Sequence, residues 1–172
     1  MSLTGSFLVA RQVLRDPNFE RAVVLLLAHN DEGAFGLVVN RRAQAKGLPW
    51  PLFVGGPCPS PGLMMLHGQA AWAESAGGEE AEEETDGKGV APGIFVGDAA
   101  ALERAGNAEA EERVRFRVFT GYSGWGGGQL ENELAAGAWA VVPAEADLLF
   151  DTPADELWDR LAPPALPQPS LN

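Results

Sequence analysis

The stretch GYSGWGGGQLENELAAGAW, residues 121–139, is the most informative part of this chain. Five of its first eight residues are glycine, and an amphipathic helix is predicted directly after them, over residues 129–136. Glycine adopts backbone angles that other residues avoid, so the first part predicts a shaped loop, and Tyr122 and Trp125 are large enough to hold it in one conformation. The loop contains no histidine, cysteine, lysine or arginine. The loop therefore predicts a binding surface and does not indicate any chemical reaction.

The length and the composition predict one soluble domain. A chain of 172 residues is long enough to bury roughly 70% of the surface that its unfolded form exposes. Cys58 is the only cysteine, so no intrachain disulfide can form. The start MSLTGSFLVARQ lacks the features of a secretory signal, and no apolar run approaches the ~20 residues that span a bilayer. We expect a cytoplasmic protein without a membrane segment.

The formal net charge of −12 argues against general binding to nucleic acid or anionic lipid, because both would repel the chain. Residues 74–88 hold seven acidic residues, one basic residue and almost no apolar side chains, so we expect a mobile, solvated loop. The alternative for this segment is an acidic arm that grips a basic partner. Residues 163–172 hold four prolines and are expected to form a disordered tail. We therefore predict a single domain over residues 1–162.

Short apolar runs between turn-forming residues predict a series of strands. The predicted strands are residues 5–13, 22–28, 35–39, 52–54, 62–67, 93–97, 114–118 and 139–142. Helices are predicted for one turn at Asp16 and Pro17, over 98–106, over 129–136, and after Thr152 with Pro153 as the first helical residue. Strands and helices do not alternate regularly, and at least two strand pairs look antiparallel. The predicted fold class is therefore α+β.

Six stretches follow one another along the chain: GSFLVA at 5–10, DPNFERAVVLL at 16–26, HNDEGAFGLVVNR at 29–41, VGGP at 54–57, GYSGWGGGQLENELAAGAW at 121–139 and FDTPADELWDRL at 150–161. In content and in order they resemble the motifs of the bacterial AlgH/YqgE family. The resemblance spans nearly the whole body of the protein. It departs from the family pattern at the prolines around Cys58 and at the acidic insertion around residues 79–84.

The resemblance implies a fold in which a branched, mostly antiparallel sheet, partly closed into a small barrel, is surrounded by several helices. Members of the family are mostly uncharacterised, and one line of naming treats them as transcriptional regulators. This chain offers that name little support, because no helix-turn-helix pattern is visible. The densest basic group is interpreted as an ordinary exposed strand face; it consists of Arg113, Arg115 and Arg117, with Arg41 and Arg42 nearby.

Three separated segments supply the candidate binding surface, namely the hairpin at 29–41, the turn at 55–57 and the loop at 121–129. If the hairpin lies beside the loop, the two line one cleft. The candidate ligand- or partner-binding residues are Asn30, Gly33, Gly36, Asn40, Arg41, Gly55, Gly56, Pro57, Gly121, Tyr122, Gly124, Trp125, Gln129 and Glu131.

A glycine-rich loop before a helix is also a place where backbone N–H groups hold phosphate or carboxylate. The loop at 121–129 lacks the lysine and the hydroxyl residue of a P-loop, and Glu131 lies where an anion would sit. We therefore interpret the acidic residues of the first helical turn as partners of the helix dipole. The glycines then serve tight turns and close packing around Trp125.

An enzyme-like site would have to use His29, His67 and Cys58. The two histidines could form a metal site with Asp31 or Glu32, or Cys58 could act as a nucleophile with His67 as its base. No spacing in the sequence enforces either arrangement. No metal and no cofactor are therefore expected.

Two hypotheses from different classes follow. The favoured one is a non-catalytic protein that binds a small molecule or a protein partner, with a regulatory role as one option. The rival is a hydrolase or a metal-dependent enzyme built on His29, His67 and Cys58, and it fails if these side chains lie more than about 10 Å apart. A weaker alternative is a transcriptional regulator acting on DNA.

Overall fold

The computed structural model describes residues 2–11, 17, 19–43, 52–68, 89–97 and 116–162. Several expectations lie outside the described residues and stay predictions. They are the helix over 98–106, the acidic loop at 74–88, the tail at 163–172, the helical turn at Asp16, and the positions of Arg113 and Arg115.

Nine strands and three helices make up the described part of the chain. The strands are β1 Ser6–Ala10, β2 Val23–Asn30, β3 Gly33–Val38, β4 Leu52–Val54, β5 Cys58–His67, β6 Gly89–Ala91, β7 Ile94–Gly97, β8 Phe116–Gly126 and β9 Trp139–Pro143. The helices are α1 Gln129–Ala135, α2 Ala146–Asp151 and α3 Ala154–Leu161. The sequence pattern does not predict β6, whose sequence GVA contains one large apolar residue, or α2, whose six residues are less than two helical turns.

The strands form one sheet in the order β6-β7-β5-β8-β3-β2-β1-β9, and the neighbours in this order are antiparallel. Strand β8 is the branch point. Along one edge it pairs with β5, and along the other it pairs first with β4, in parallel, and then with β3. The sheet curls into a half-barrel, and Gly5 at the start of β1 lies against the backbone of Val90 in β6.

Gly121 lies at an irregularity in the middle of β8. Its φ is +79°, and the pairing with β5 shifts register between Cys58 and Leu63, opposite this glycine. A glycine in the left-handed conformation at such a point bends the strand and increases its twist. The prediction of a loop over 121–129 is therefore wrong for residues 121–126, which belong to β8. Only two glycines form the turn into α1.

Two hydrophobic clusters cover the opposite faces of the sheet. Alternate residues of β1 point to opposite faces, so Phe7 belongs to one cluster and Leu8 to the other. Helices α2 and α3 complete the first cluster with Phe150 and Leu157, and α1 completes the second with Leu130. Because both faces are covered, β2 reads as an uninterrupted apolar run in the sequence.

The branched, mostly antiparallel sheet agrees with the expected fold, but the expectation that several helices surround it is overstated. The helices of the described part have only seven, six and eight residues, which is too short to enclose the sheet. The start of α3 also differs from the prediction, because Pro153 is its N-cap and Thr152 is the C-cap of α2.

Candidate functional site

The three predicted segments come together along β8. Gly36 in β3 pairs with Ser123 of β8. In the turn at 55–57, the backbone N–H of Gly55 donates to the oxygen of Thr120 at 2.8 Å. The expected contact between the hairpin and the glycine-rich segment is therefore present, but it is made by strand pairing inside the sheet.

The glycines at this junction let neighbouring backbones approach closely. A Cβ atom at Gly36 would lie 2.6 Å from the carbonyl oxygen of Leu25, and one at Gly55 would lie 2.5 Å from that of Gly121. Real side chains do not tolerate such approaches, so both positions need glycine for packing. The same steric role belongs to Gly33, Gly56 and Gly121. These residues hold the sheet together and do not line an open surface.

The two aromatic rings of the predicted surface pack into the cores. Tyr122 is half-buried, and its ring centroid lies 5.0 Å from that of Phe35. Trp125 is 6% exposed, and its indole N–H donates to Oε1 of Glu133 at 2.9 Å. Both rings are thus used to stabilise the fold.

Five of the fourteen predicted residues are exposed: Asn30, Pro57, Gly124, Gln129 and Glu131. The Asn30 side chain accepts a hydrogen bond from the backbone N–H of Glu32 at 2.7 Å, as in an Asx turn. The Gln129 side chain accepts one from the backbone N–H of Gly126 at 3.0 Å. These two side chains therefore support the turns in which they lie.

Asn40 and Arg41 stabilise a turn of the backbone between β1 and β2. The Asn40 side chain accepts from the N–H of Val23 at 2.9 Å and donates to the oxygen of Arg21 at 3.0 Å. The Arg41 guanidinium donates to the oxygen of Glu20 at 2.8 Å. Arg21 has a φ of +59°, which is unfavourable outside glycine, so these bonds hold a strained turn in place.

Glu131 is held by His29. The Nδ1 atom of His29 accepts the N–H of Leu3 at 3.0 Å, so the ring proton lies on Nε2, which donates to Oε2 of Glu131 at 2.8 Å. This hydrogen bond, together with a bond to its own backbone, lowers the pKa of Glu131. The carboxylate therefore takes the position in the first turn of α1 that an anion would need.

Replacing Glu131 by glutamine is expected to lower the free energy of unfolding near neutral pH and to leave it unchanged in acid. The folded-state pKa of Glu131 lies below its ordinary value of 4.5. Its stabilising contribution is therefore complete above that value and is lost as the pH falls through the lower folded-state pKa. Chemical denaturation of the wild type and of Glu131→Gln across this pH range measures the difference.

The matched control is Glu32→Gln, an exposed change in the hairpin between β2 and β3. The free energy of unfolding of this control should equal that of the wild type at every pH. A deficit of Glu131→Gln that stays constant from neutral pH into acid would contradict the role given to the carboxylate.

His29, His67 and Cys58 do not form one site. Cys58 and His67 pair with residues of β8 that are six positions apart, which separates them by about 20 Å. His67 is buried and its ring stacks on Phe95, while His29 contacts α1 beyond the other end of β8. In the part of the chain that the structure describes, no three metal-ligating side chains come together. The enzyme built on these three residues therefore has no site.

An open cleft lies between the sheet and the start of α3. One of its cavities has a volume of about 420 Å³. The residues that line this cavity include Asn40, Arg42, Phe53, Arg117, Ala154 and Asp155. Arg42 reaches the cavity because its backbone forms an isolated bridge with Phe53 of β4.

Arg117 forms a fixed part of the cleft wall. Its guanidinium donates to the oxygen of Phe150 at 2.8 Å and lies 5.5 Å from the ring centroid of Phe53. Burial lowers the pKa of Arg117, the neighbouring Asp151 opposes that shift, and the positive charge of Arg42 adds to it. The interpretation of Arg117 as part of an ordinary exposed face is wrong, because this side chain packs between the sheet and α2.

A second cavity, of about 220 Å³, shares Asn40, Ala154 and Asp155 with the first. We call the two together the arginine cleft. Four of the six basic residues in the described part line it, namely Arg21, Arg41, Arg42 and Arg117, whereas Arg11 and Arg160 do not. Among the residues that the structure describes, basic side chains are thus concentrated in this cleft.

The family model described as DUF179, AlgH-like, matches residues 7–165. The chain belongs to the AlgH-like family. Among its AlgH-like relatives, a UPF0301 protein of Streptomyces coelicolor is 40% identical over 91% of this chain and 83% of its own length. A UPF0301 protein of Thioalkalivibrio sulfidiphilus is 33% identical over 94% of this chain and 88% of its own length.

The solution structure of the AlgH protein from Pseudomonas aeruginosa has the same fold. It superposes with a TM-score of 0.67, covers 93% of this chain and 87% of its own, and is 27% identical in sequence. The family resemblance is thereby confirmed, and the AlgH-like relatives carry the name of an uncharacterised family. No helix in the described part is long and apolar enough to cross a membrane.

Proposed function

We propose that this AlgH-like protein is a non-catalytic binding protein and that its ligand occupies the arginine cleft. The observation that supports the proposal is the cleft itself, with adjoining cavities of about 420 and 220 Å³. Small-molecule sites in proteins are clefts of roughly 300–1,000 Å³ with apolar walls and a few polar groups. In the arginine cleft Pro153, Ala154 and Trp158 are the apolar walls, and the arginines are the polar groups.

The proposal moves the binding site away from the surface expected from the sequence. The glycines and aromatic rings of that surface are used for strand packing, so they have little freedom to contact a ligand. Asn40 and Arg41 keep a role, because they hold the turn at one wall of the cleft.

The test blocks the cleft with a larger side chain. Ala154 lines both cavities, so Ala154→Phe fills the space that they share. The protein is purified from its native cells, and the small molecules that it retains are identified by native mass spectrometry. We expect the wild type to retain a compound and Ala154→Phe to lose it.

The matched control is Ala135→Phe, because Ala135 is an exposed residue of α1 that does not line the cleft. This variant should retain the compound as the wild type does. Equal retention by Ala154→Phe, with a circular dichroism spectrum like that of the wild type, would remove the cleft as the binding site. A mobility shift with duplex DNA that weakens as salt is added would favour the regulator instead.

A further inference from the structure

We infer that the arginine cleft recognises a small molecule by an oxyanion, a carboxylate or a phosphate group, which contacts Arg42 and Arg117 while the apolar part of the molecule lies against Pro153 and Ala154. The inference rests on the proposed function and names the chemical class of its ligand. Three features of the cleft support it: one guanidinium is fixed, one is open to solvent, and nearby carboxylates limit the negative charge that the ligand can carry.

Arg117 is held ready for a ligand. Its guanidinium donates to the backbone oxygens of Phe116 and Phe150 at 3.2 and 2.8 Å. It also lies 5.5 and 6.0 Å from the ring centroids of Phe53 and Phe150. Five N–H donors project from an arginine in a rigid fork, and two backbone oxygens do not use them all. Because the side chain is already fixed, binding an oxyanion orders little more.

Arg42 is the complementary, exposed part. Within the residues that the structure describes, its guanidinium has neither a hydrogen bond nor an ion pair, although it lines the same cavity as Arg117. The positive charge of Arg42 lowers the pKa of Arg117, so the two cations repel each other. An oxyanion placed against both would replace this repulsion with charge-assisted hydrogen bonds.

The acidic groups of the cleft limit what kind of anion it takes. Asp155 lies in the first cavity, Glu20 and Asp155 lie in the second, and Asp151 acts on Arg117. In the second cavity Arg21 pairs with Asp159 at 3.2 Å. These carboxylates and the net charge of −12 disfavour a long polyanion. The cleft therefore suits a small molecule with one anionic end.

The apolar residues beside the two arginines determine the chemical character of the rest of the ligand. Pro153, which is exposed at the start of α3, and the half-buried Ala154 line the first cavity. A flat, apolar group can lie against these two side chains while its anionic end reaches the guanidinium groups. Phenyl phosphate and benzoate have this shape, and benzyl alcohol is a neutral analogue of the same size.

The test titrates the full-length protein with phenyl phosphate, benzoate and benzyl alcohol and follows binding by NMR chemical shifts. We expect at least one of the two anions to bind about tenfold more tightly than benzyl alcohol or better, because hydrogen bonds to charged groups are involved. Binding should weaken when salt rises from about 0.02 M to about 0.2 M. Arg42→Gln should lose about tenfold in affinity for the anion.

Arg160→Gln is the matched control, since this exposed arginine of α3 does not line the cleft. It should bind the anion as the wild type does. If the anions and benzyl alcohol bind equally well and Arg42→Gln changes neither affinity, recognition of an oxyanion is excluded. The cleft then remains the proposed binding site. If none of the three probes shifts the resonances of cleft residues, the inference fails, and the compound retained in the native cell then decides the proposed function by itself.

Discussion

Replacing Gly36 by alanine is expected to lower the free energy of unfolding by about 3 kcal/mol or more. The new Cβ atom would lie 2.6 Å from the carbonyl oxygen of Leu25 and 2.9 Å from a methyl carbon of Val24. The first of these is a backbone atom of a central strand, so the clash is relieved only if β2 and β3 separate. Urea denaturation, followed by circular dichroism, measures the loss.

Gly124→Ala is the matched control on the same ladder, because Gly124 pairs with Phe35, next to Gly36. A Cβ atom at Gly124 would meet the Tyr122 ring at 3.5 Å, an ordinary van der Waals contact. The free energy of unfolding of Gly124→Ala should stay within about 1 kcal/mol of that of the wild type. Equal losses for the two variants would show that alanine is costly throughout this ladder, and the close approach at Gly36 would not be the cause.

The second large effect is expected at Glu133, where alanine should cost about 2–5 kcal/mol. The indole N–H groups of Trp125 and Trp139 both donate to Oε1 of Glu133, each at 2.9 Å. These tryptophans are 6% and 4% exposed, so alanine would leave two buried donors without their acceptor. Chemical denaturation measures the cost, and tryptophan fluorescence reports the change around the two rings.

Glu133→Gln separates the hydrogen bonds from the charge. The amide keeps an oxygen that can accept from both indole groups, so it should recover most of the stability that alanine loses. A glutamine variant as unstable as the alanine variant would show that the negative charge is what matters.

Much of the fold can be predicted from the sequence where a pattern is local. The apolar run of β2 predicts a strand covered on both faces, and Leu52–Val54 is predicted with its observed bounds. Helix α1 is one residue shorter than predicted. Residues 121–126 are different, because glycine is as compatible with a loop as with a strand packed closely between its neighbours. The strands that pair with β8 decide whether these residues form a loop or a strand.

The site is harder to predict, because it is made by residues that are distant in the sequence. Arg42 and Arg117 are recognisable as members of a basic group, yet the cavity exists only because Ala154 and the start of α3 pack opposite Phe53. No local pattern specifies that docking. Asn40 is predicted as a binding residue, whereas its side-chain hydrogen bonds support the turn at Arg21.

The branch point at β8 also has a consequence for how the polypeptide matures during synthesis. Strands β3, β4 and β5 all pair with β8, which follows them only after a long stretch of chain. Contacts between such distant segments close late and slow the search for the native topology. Until β8 has been synthesised, β3, β4 and β5 lack this pairing partner, and unpaired strand edges favour aggregation of a partly folded chain.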